Sequence, residues 1–289
     1  MSDVRTERVT VNGVTLHTTL QGPEKSKGTP VVLCHGGPGG YDDLAPVADM
    51  IDDLGRVSRY DQRGSGQSDR RPPFDVSTFV DDLEALRAHW RIRKWVVGGH
   101  SWGASLALIY AARYPSKTRA LIYISGTGLD PRWRTEYRRA RLSRLTPEAR
   151  ARHEELERSR AGATDSRRAA IARERQQLLT PTNYHDPDSV PAPPDDYDRL
   201  VNPEANALVG ADQERIVLHP RFLTRVAQLP MPGLVVHGAS DPRPGWSAEA
   251  VARTMAQGEF VSLPEVGHYP WVEKPELLRS ALRGFLRKL

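Results

Sequence analysis

Between the apolar run KWVVGG (94–99) and the helix-prone stretch WGASLALIYAARYP (102–115), the chain turns within five residues, Gly99-His100-Ser101-Trp102-Gly103. A buried strand that passes straight into a helix needs glycine on both sides of such a turn, because a Cβ there would strike the crossing backbone. The serine at the centre is then held in a strained conformation, its hydroxyl exposed at the carboxyl edge of a sheet. Three readings compete for this junction: a nucleophile on its elbow, a glycine loop that cradles phosphate, or a close-packed strand–helix joint with an idle serine. Each requires different partners elsewhere in the chain.

The phosphate reading lacks them. A dinucleotide loop needs G-x-G-x-x-G and a P-loop needs Lys-Ser/Thr after its last glycine. Neither the turn nor the run His35-Gly36-Gly37-Pro38-Gly39-Gly40 supplies these. A nucleophilic serine instead needs a base, and the base needs an orienting acid, in the chain order Ser, acid, His when the fold is of hydrolase type. After Ser101 the strand-like LVVHG (234–238) leads to Asp241, and EFVSLP (259–264) leads to His268. Both stand where orienter and base belong. Alternative roles exist, since an aspartate before Pro242 suits a turn and His268 suits a surface loop. The glycine run at 36–40 follows an early strand, where close backbone approach builds an oxyanion hole. Its expected donors are the backbone N–H groups of Gly37 and Trp102. Asp61 and Arg63, in YDQRGSGQSD, are expected to pin their loop. The side chain of His100 is expected to point away from the hydroxyl and pack, and Cys34 to fill a small buried strand position.

The surrounding pattern predicts an α/β chain with a mostly parallel sheet flanked by helices. RVTVNGVTLHTTL (8–20) alternates apolar and polar residues around Asn12-Gly13, a hairpin signal. Short apolar runs at 30–36, 57–60, 94–99, 119–126 and 232–238 read as buried strands, separated by helical stretches. From about Asp130 to Leu229 the strands stop, leaving helical segments and a proline-rich connector. This predicts a core of residues 1–129 and 231–289, interrupted by a helical cap at 130–230. Fourteen arginines and seven acidic residues fall within 131–175. At helical spacing among Glu, Ala and Leu they read as a solvated helix face, and no aromatic-interleaved basic motif accompanies them. The expected partner is therefore a small molecule or short peptide, not nucleic acid or a membrane. The single cysteine and the absence of an apolar leader fit a cytoplasmic setting. No metal or other cofactor is implied, since neither H-E-x-x-H nor a cysteine cluster is present.

Taken together, HGGPGG, YDQRGSGQSD, GHSWGASLAL, HGASD and VGH resemble the α/β-hydrolase fold and, within it, the proline iminopeptidase family of serine aminopeptidases. The resemblance spans roughly Val9 to Gly128 and Met231 to Leu289. It implies a triad of Ser101, Asp241 and His268, with Gly37 and Trp102 as oxyanion donors. Members of the family bind the substrate's free amine through cap glutamates and seat the proline ring among aromatics. The usual elbow has glycine where this chain has His100, and the family's cap signatures survive only as distant echoes in WRTEY (133–137) and NPEANALVG (202–210). Within the second echo, Glu204 is the implied amine anchor, with a surface glutamate at a helix start as its alternative.

The expected activity is that of a serine hydrolase working through an acyl-enzyme, first as an aminopeptidase that releases N-terminal residues from short peptides. The rival is an esterase, lactonase or amidase acting on a small metabolite under a diverged cap. A non-catalytic shell that binds a ligand is the third reading.

Overall fold

The computed structural model describes residues 3–23 and 28–289. The chain opens with a hairpin of β1 (Val4–Val11) and β2 (Val14–Gln21), turned by Asn12 and Gly13 at φ 46° and 74°. Both values fall in the left-handed region that a tight hairpin requires and that these two residue types tolerate. β3 (Val31–Cys34), α1 (Ala45–Asp49), β4 (Val57–Tyr60), α2 (Val76–His89), β5 (Trp95–His100), α3 (Trp102–Arg113) and β6 (Thr118–Ile124) follow in alternation. The eight-stranded sheet is ordered β1-β2-β4-β3-β5-β6, then β7 (Gly233–Gly238) and β8 (Gly258–Leu263). β2 runs antiparallel to both its neighbours, and β4 through β8 are parallel.

The period of two along each central strand sorts the core into two layers. Trp95 and Val97 of β5 pack with Phe79, Leu83 and Leu86 of α2 and with α3, whereas Val96 faces the opposite layer. That layer holds Ile122 and Ile124 of β6 together with α1 and the last helix, α12 (Pro275–Leu286), which contributes Leu278, Leu282 and Phe285. α10 (Gly245–Thr254) covers β7, and the one-turn α11 (Pro270–Glu273) precedes α12. β3 sits between β4 and β5, so the chain leaves it toward one side and resumes on the other. The loops after β3 and β5 therefore face each other at the reversal of strand order, where open α/β sheets place their ligand sites.

Six helices lie between β6 and β7: α4 (Trp133–Ser143), α5 (Pro147–Arg160), α6 (Asp165–Leu179), α7 (Tyr197–Leu200), α8 (Pro203–Val217) and α9 (Pro220–Ala227). They divide by chemistry. α5 and α6 form an exposed hairpin, capped by Thr146 and Thr164, that buries little beyond His153, Leu156 and Ile171. Its arginines pair across the hairpin, Arg152 with Glu174 and Arg175 with Glu157, each at 2.6 Å. α8 and α9 instead bury Ala205, Val209, Val217, Phe222 and Val226 in the same cluster as α2 and α3. The Asp212 carboxylate also accepts from the Val76 N–H at the start of α2, at 2.9 Å. No helix of the described residues is long and apolar enough to cross a membrane.

Candidate active site

Ser101 sits between β5 and α3 with φ 55° and ψ −116°, a backbone state that L-residues occupy only when their surroundings enforce it. The enforcement is visible at the flanking glycines. A Cβ on Gly99 would lie 2.3 Å from the Gly103 carbonyl carbon, and one on Gly103 would lie 1.9 Å from the Cys34 oxygen. The turn is tied to the sheet by the Ser101 N–H, which donates to the Ile124 carbonyl at 2.9 Å. Cys34 itself is wholly buried, and burial pushes its thiol up to about 12.

The loops after β7 and β8 bring Asp241 and His268 together. His268 Nδ1 donates to Asp241 Oδ2 at 2.7 Å, which leaves its Nε2 free for a proton acceptor's role. Asp241 Oδ1 accepts from the Arg243 N–H at 2.9 Å and from Arg243 Nη1 at 3.3 Å. Burial opposes ionisation of Asp241, but His268 and the Arg243 charge hold its carboxyl far below the usual range. Burial, then the Arg243 charge, push the His268 imidazole down to about 4 against the pull of Asp241. The imidazole is thus neutral at physiological pH, the form in which it can accept a proton. The cap helps to hold this loop. The His268 N–H donates to the Asn183 carbonyl at 2.7 Å, and Arg144 donates to the carbonyls of Thr182 and Ser240, both at 2.7 Å.

His100 packs edge-on against Trp271, with ring centroids 4.6 Å apart, and 4.5 Å from the ring of His268. Its Nε2 donates to the His268 carbonyl at 2.9 Å. The residue beside the serine is therefore a strut for the loop that carries His268. The loop after β3 approaches the serine closely, since a Cβ on Gly36 would lie 3.5 Å from Ser101 Cβ. Gly37, at φ +127°, has no room for a side chain, with the Gly40 nitrogen 2.5 Å from its would-be Cβ. Trp102 is the first residue of α3, where backbone N–H groups lack partners within the helix.

One network was not foreseen from the sequence. Trp102 Nε1 donates to Gln62 Oε1 at 2.7 Å, and Gln62 Nε2 donates to the His35 carbonyl at 2.9 Å. The Gln62 N–H donates to His35 Nε2 at 2.9 Å, so the proton of this ring lies on Nδ1, which donates to the Gly36 carbonyl at 2.7 Å. Burial holds His35 below its ordinary value, which keeps it in that neutral form. A glutamine in a glycine-rich loop is the only sequence hint. Arg243 also escaped notice, although it follows Asp241 by two residues. Asp61 accepts from the N–H groups of Asp42 and Gln67, both at 2.9 Å, and Arg63 forms a buried pair with Asp82.

Glu204 lies exposed on the first turn of α8. The start of that helix is docked on the glycine loop: the Asn202 N–H donates to the Gly39 carbonyl and Asn206 Nδ2 to the Pro38 carbonyl, both at 2.7 Å. In the other echo, Glu136 accepts from Trp246 Nε1 at 3.1 Å, and the Tyr137 ring lies 4.4 Å from the Arg243 guanidinium. A surface cavity of about 550 Å³ is lined by Asn12, Arg63, Asp81 and Tyr114, among others, and takes in none of Ser101, Asp241 and His268. Among the described residues, no three His, Cys, Asp or Glu side chains are grouped to hold a metal.

A strand–serine–helix elbow, facing a glycine loop and a histidine paired to an aspartate, defines the α/β-hydrolase class. The chain belongs to the α/β-hydrolase fold family, whose model matches residues 29–275. Within that family it is similar to a proline iminopeptidase of Arabidopsis thaliana, 39% identical over 101 residues, which are 34% of this chain and 27% of that protein. A proline iminopeptidase of Heyndrickxia coagulans is 27% identical over 287 residues, 92% of this chain and 93% of that one. The match to the Arabidopsis relative thus spans about a quarter of its length. Among solved structures, the crystal structure of VinJ shares the fold with a TM-score of 0.78 at 22% identity over 99% of each chain.

Proposed function

We propose that the protein is a serine hydrolase whose nucleophile is Ser101, and that it acts as an aminopeptidase of the proline iminopeptidase type on short peptides. The observation that carries this reading is the 2.7 Å bond between His268 Nδ1 and Asp241 Oδ2 on the loops after β7 and β8, with His268 braced against the elbow by His100. His268 Nε2 takes the hydroxyl proton as Ser101 Oγ attacks the substrate carbonyl carbon. The carbonyl π pair moves onto oxygen, and that oxyanion is received by the N–H groups of Gly37 and Trp102. Collapse of the intermediate breaks the C–N bond, and His268 gives its proton to the departing amine. Water then attacks the acyl carbon as His268 Nε2 takes its proton; the C–Oγ bond breaks, His268 returns the proton to Ser101 Oγ, and the N-terminal residue leaves as the free acid.

The similarity to proline iminopeptidases supports the choice of an N-terminal amide bond. The exposed position of Glu204 favours keeping a second reading, in which the same machinery hydrolyses an ester, lactone or amide of a small metabolite. Hydrolysis of L-proline 4-nitroanilide and of a simple aryl ester by the purified protein separates them. The aminopeptidase reading expects turnover of the anilide, abolished in Ser101→Ala along with fluorophosphonate labelling. Turnover of esters with no detectable anilide cleavage overturns it in favour of the second reading. Unchanged turnover in Ser101→Ala overturns both.

A further inference from the structure

Glu273 ends the one-turn α11, and its carboxylate reaches back to the loop that carries His268. Oε2 accepts from the Gly267 N–H at 2.6 Å. Oε1 accepts from the N–H groups of His185 at 2.7 Å and Asp186 at 3.1 Å. Both oxygens are thus engaged, one by the residue before His268 and the other by the connector between α6 and α7. Bonds from backbone donors to a carboxylate are charge-assisted, about twice as strong as neutral ones.

The same connector reaches the Asp241 loop. It opens with a 3₁₀ turn, Pro181–Asn183, whose last carbonyl takes the His268 N–H at 2.7 Å. Asn183 Oδ1 accepts from Arg243 Nη1 at 3.4 Å, and that nitrogen also donates to Asp241 Oδ1 at 3.3 Å. His185 Nδ1 lies 2.9 Å from Ser240 Oγ. The approach leaves no slack, since a Cβ on Gly267 would lie 2.2 Å from the Asn183 carbonyl oxygen. Two consecutive N–H groups therefore hold the loop to its surroundings, Gly267 through Glu273 and His268 through Asn183. The bond to Asp241 fixes the tilt of the imidazole, but the position of its Nε2 follows the backbone that carries it.

We propose that Glu273 is a positioning residue for the hydrolysis: by clasping Gly267 to His185 and Asp186, it sets where His268 Nε2 stands relative to Ser101. The inference rests on Ser101 as nucleophile and His268 as base, and holds for a peptide or an ester substrate alike. Placement matters steeply, because an error of about 1 Å can cost about a hundredfold in rate. Glutamine at 273 keeps the shape but offers one acceptor oxygen and turns an amide N–H₂ toward the remaining N–H donors. Aspartate keeps both oxygens on a stem one methylene shorter.

The test measures hydrolysis of 4-nitrophenyl acetate by the wild type, Glu273→Gln, Glu273→Asp and Glu265→Gln. The last is a control that removes an exposed carboxylate paired with Lys274 on the same loop. Rates are expressed per site labelled to completion by a fluorophosphonate, so unfolded protein does not count as lost rate. Glu273→Gln should lower kcat about tenfold to a hundredfold and leave KM within about threefold, because acylation and deacylation both use His268. Glu273→Asp should recover part of the loss, and Glu265→Gln should match the wild type. In a His268→Ala background, Glu273→Gln should change the residual rate by less than about twofold. Hydrogen exchange followed by NMR should find the amides of His185, Asp186 and Gly267 slow in the wild type and quickened together in Glu273→Gln. A kcat in Glu273→Gln within about threefold of wild type, a full additive loss in the His268→Ala background, or freely exchanging amides in the wild type each overturns the assignment. The wild-type exchange stands as a test even where a variant fails to fold. Turnover and labelling that survive Ser101→Ala overturn the reading beneath it, whereas a Ser101-dependent wild type with unchanged kcat in Glu273→Gln sinks only the clasp.

Discussion

Replacing Arg63 by alanine removes one half of an ion pair that has almost no access to water. The side chains of Arg63 and Asp82 are 3% and 2% exposed, and they meet through two parallel bonds, Nε to Oδ2 and Nη2 to Oδ1, each of 2.8 Å. The pair also fastens the hairpin turn, since Asn12 Nδ2 donates to Asp82 Oδ1 at 3.0 Å and Arg63 Nη2 to the Asn12 carbonyl at 3.3 Å. In Arg63→Ala the Asp82 carboxylate keeps one amide donor and loses its counter-charge. Breaking a buried pair this way costs about 3–5 kcal/mol. For a chain of this size a loss of 1 kcal/mol lowers Tm by about 2 °C, so a fall of about 6–10 °C is expected. Because Arg63 bonds to Asp82, Arg71 and Asn12 and to none of Ser101, Asp241 and His268, kcat/KM on an aryl ester at 15 °C should stay within about threefold of wild type. The double variant Arg63→Met with Asp82→Leu removes both charges and should recover most of the lost stability. Thermal unfolding followed by circular dichroism, with ester hydrolysis on the same samples, checks both halves. A change in Tm below 1 °C, or a hundredfold loss of kcat/KM with the fold intact, would refute the view that Arg63 pins its loop.

Three further outcomes are expected. With His268 pushed down to about 4, its neutral form persists as pH falls, so the acid limb of kcat/KM should lie below 6.5; Arg243→Gln removes a cation that disfavours the imidazolium and should move that limb upward. A wild-type limb at or above 6.5 in an aryl-ester pH profile counts against this electrostatic picture. Gly103→Ala drives a Cβ to 1.9 Å from the Cys34 oxygen and should abolish soluble, probe-reactive protein, whereas Gly210→Ala in α8 meets nothing within 4 Å and should raise Tm by about 1–2 °C. Gln62→Leu strands the Trp102 indole N–H and the His35 carbonyl; about 2–4 kcal/mol of stability should be lost, and kcat should suffer more than KM because the elbow and the glycine loop lose their shared tie.

Much of the fold around the serine elbow was legible in the chain because it rests on local rules. The glycines at 99 and 103 are demanded by backbone contact across a single turn, and Asn12-Gly13 by the sign of φ in a tight hairpin. Buried parallel strands announce themselves as short apolar runs, so the order serine, aspartate, histidine behind successive strands could be read before any contact was known. Side-chain partners were less accessible. Gln62, His35 and Trp102 lie up to 67 residues apart yet share one hydrogen-bonded chain, and nothing in their local spacing signals it.

The amino-acid sequence by itself determined the sheet, the elbow and the order of Ser101, Asp241 and His268 behind successive strands, since periodicity and steric exclusion act over a few residues. Tertiary structure alone decided which loops meet at the reversal between β3 and β5. It also decided that α8 and α9 join the core while α5 and α6 stay outboard, and that Asp42 meets Arg59. Those outcomes depend on burial and on charges brought together from distant segments, and burial is a property of the packed molecule rather than of any stretch of chain.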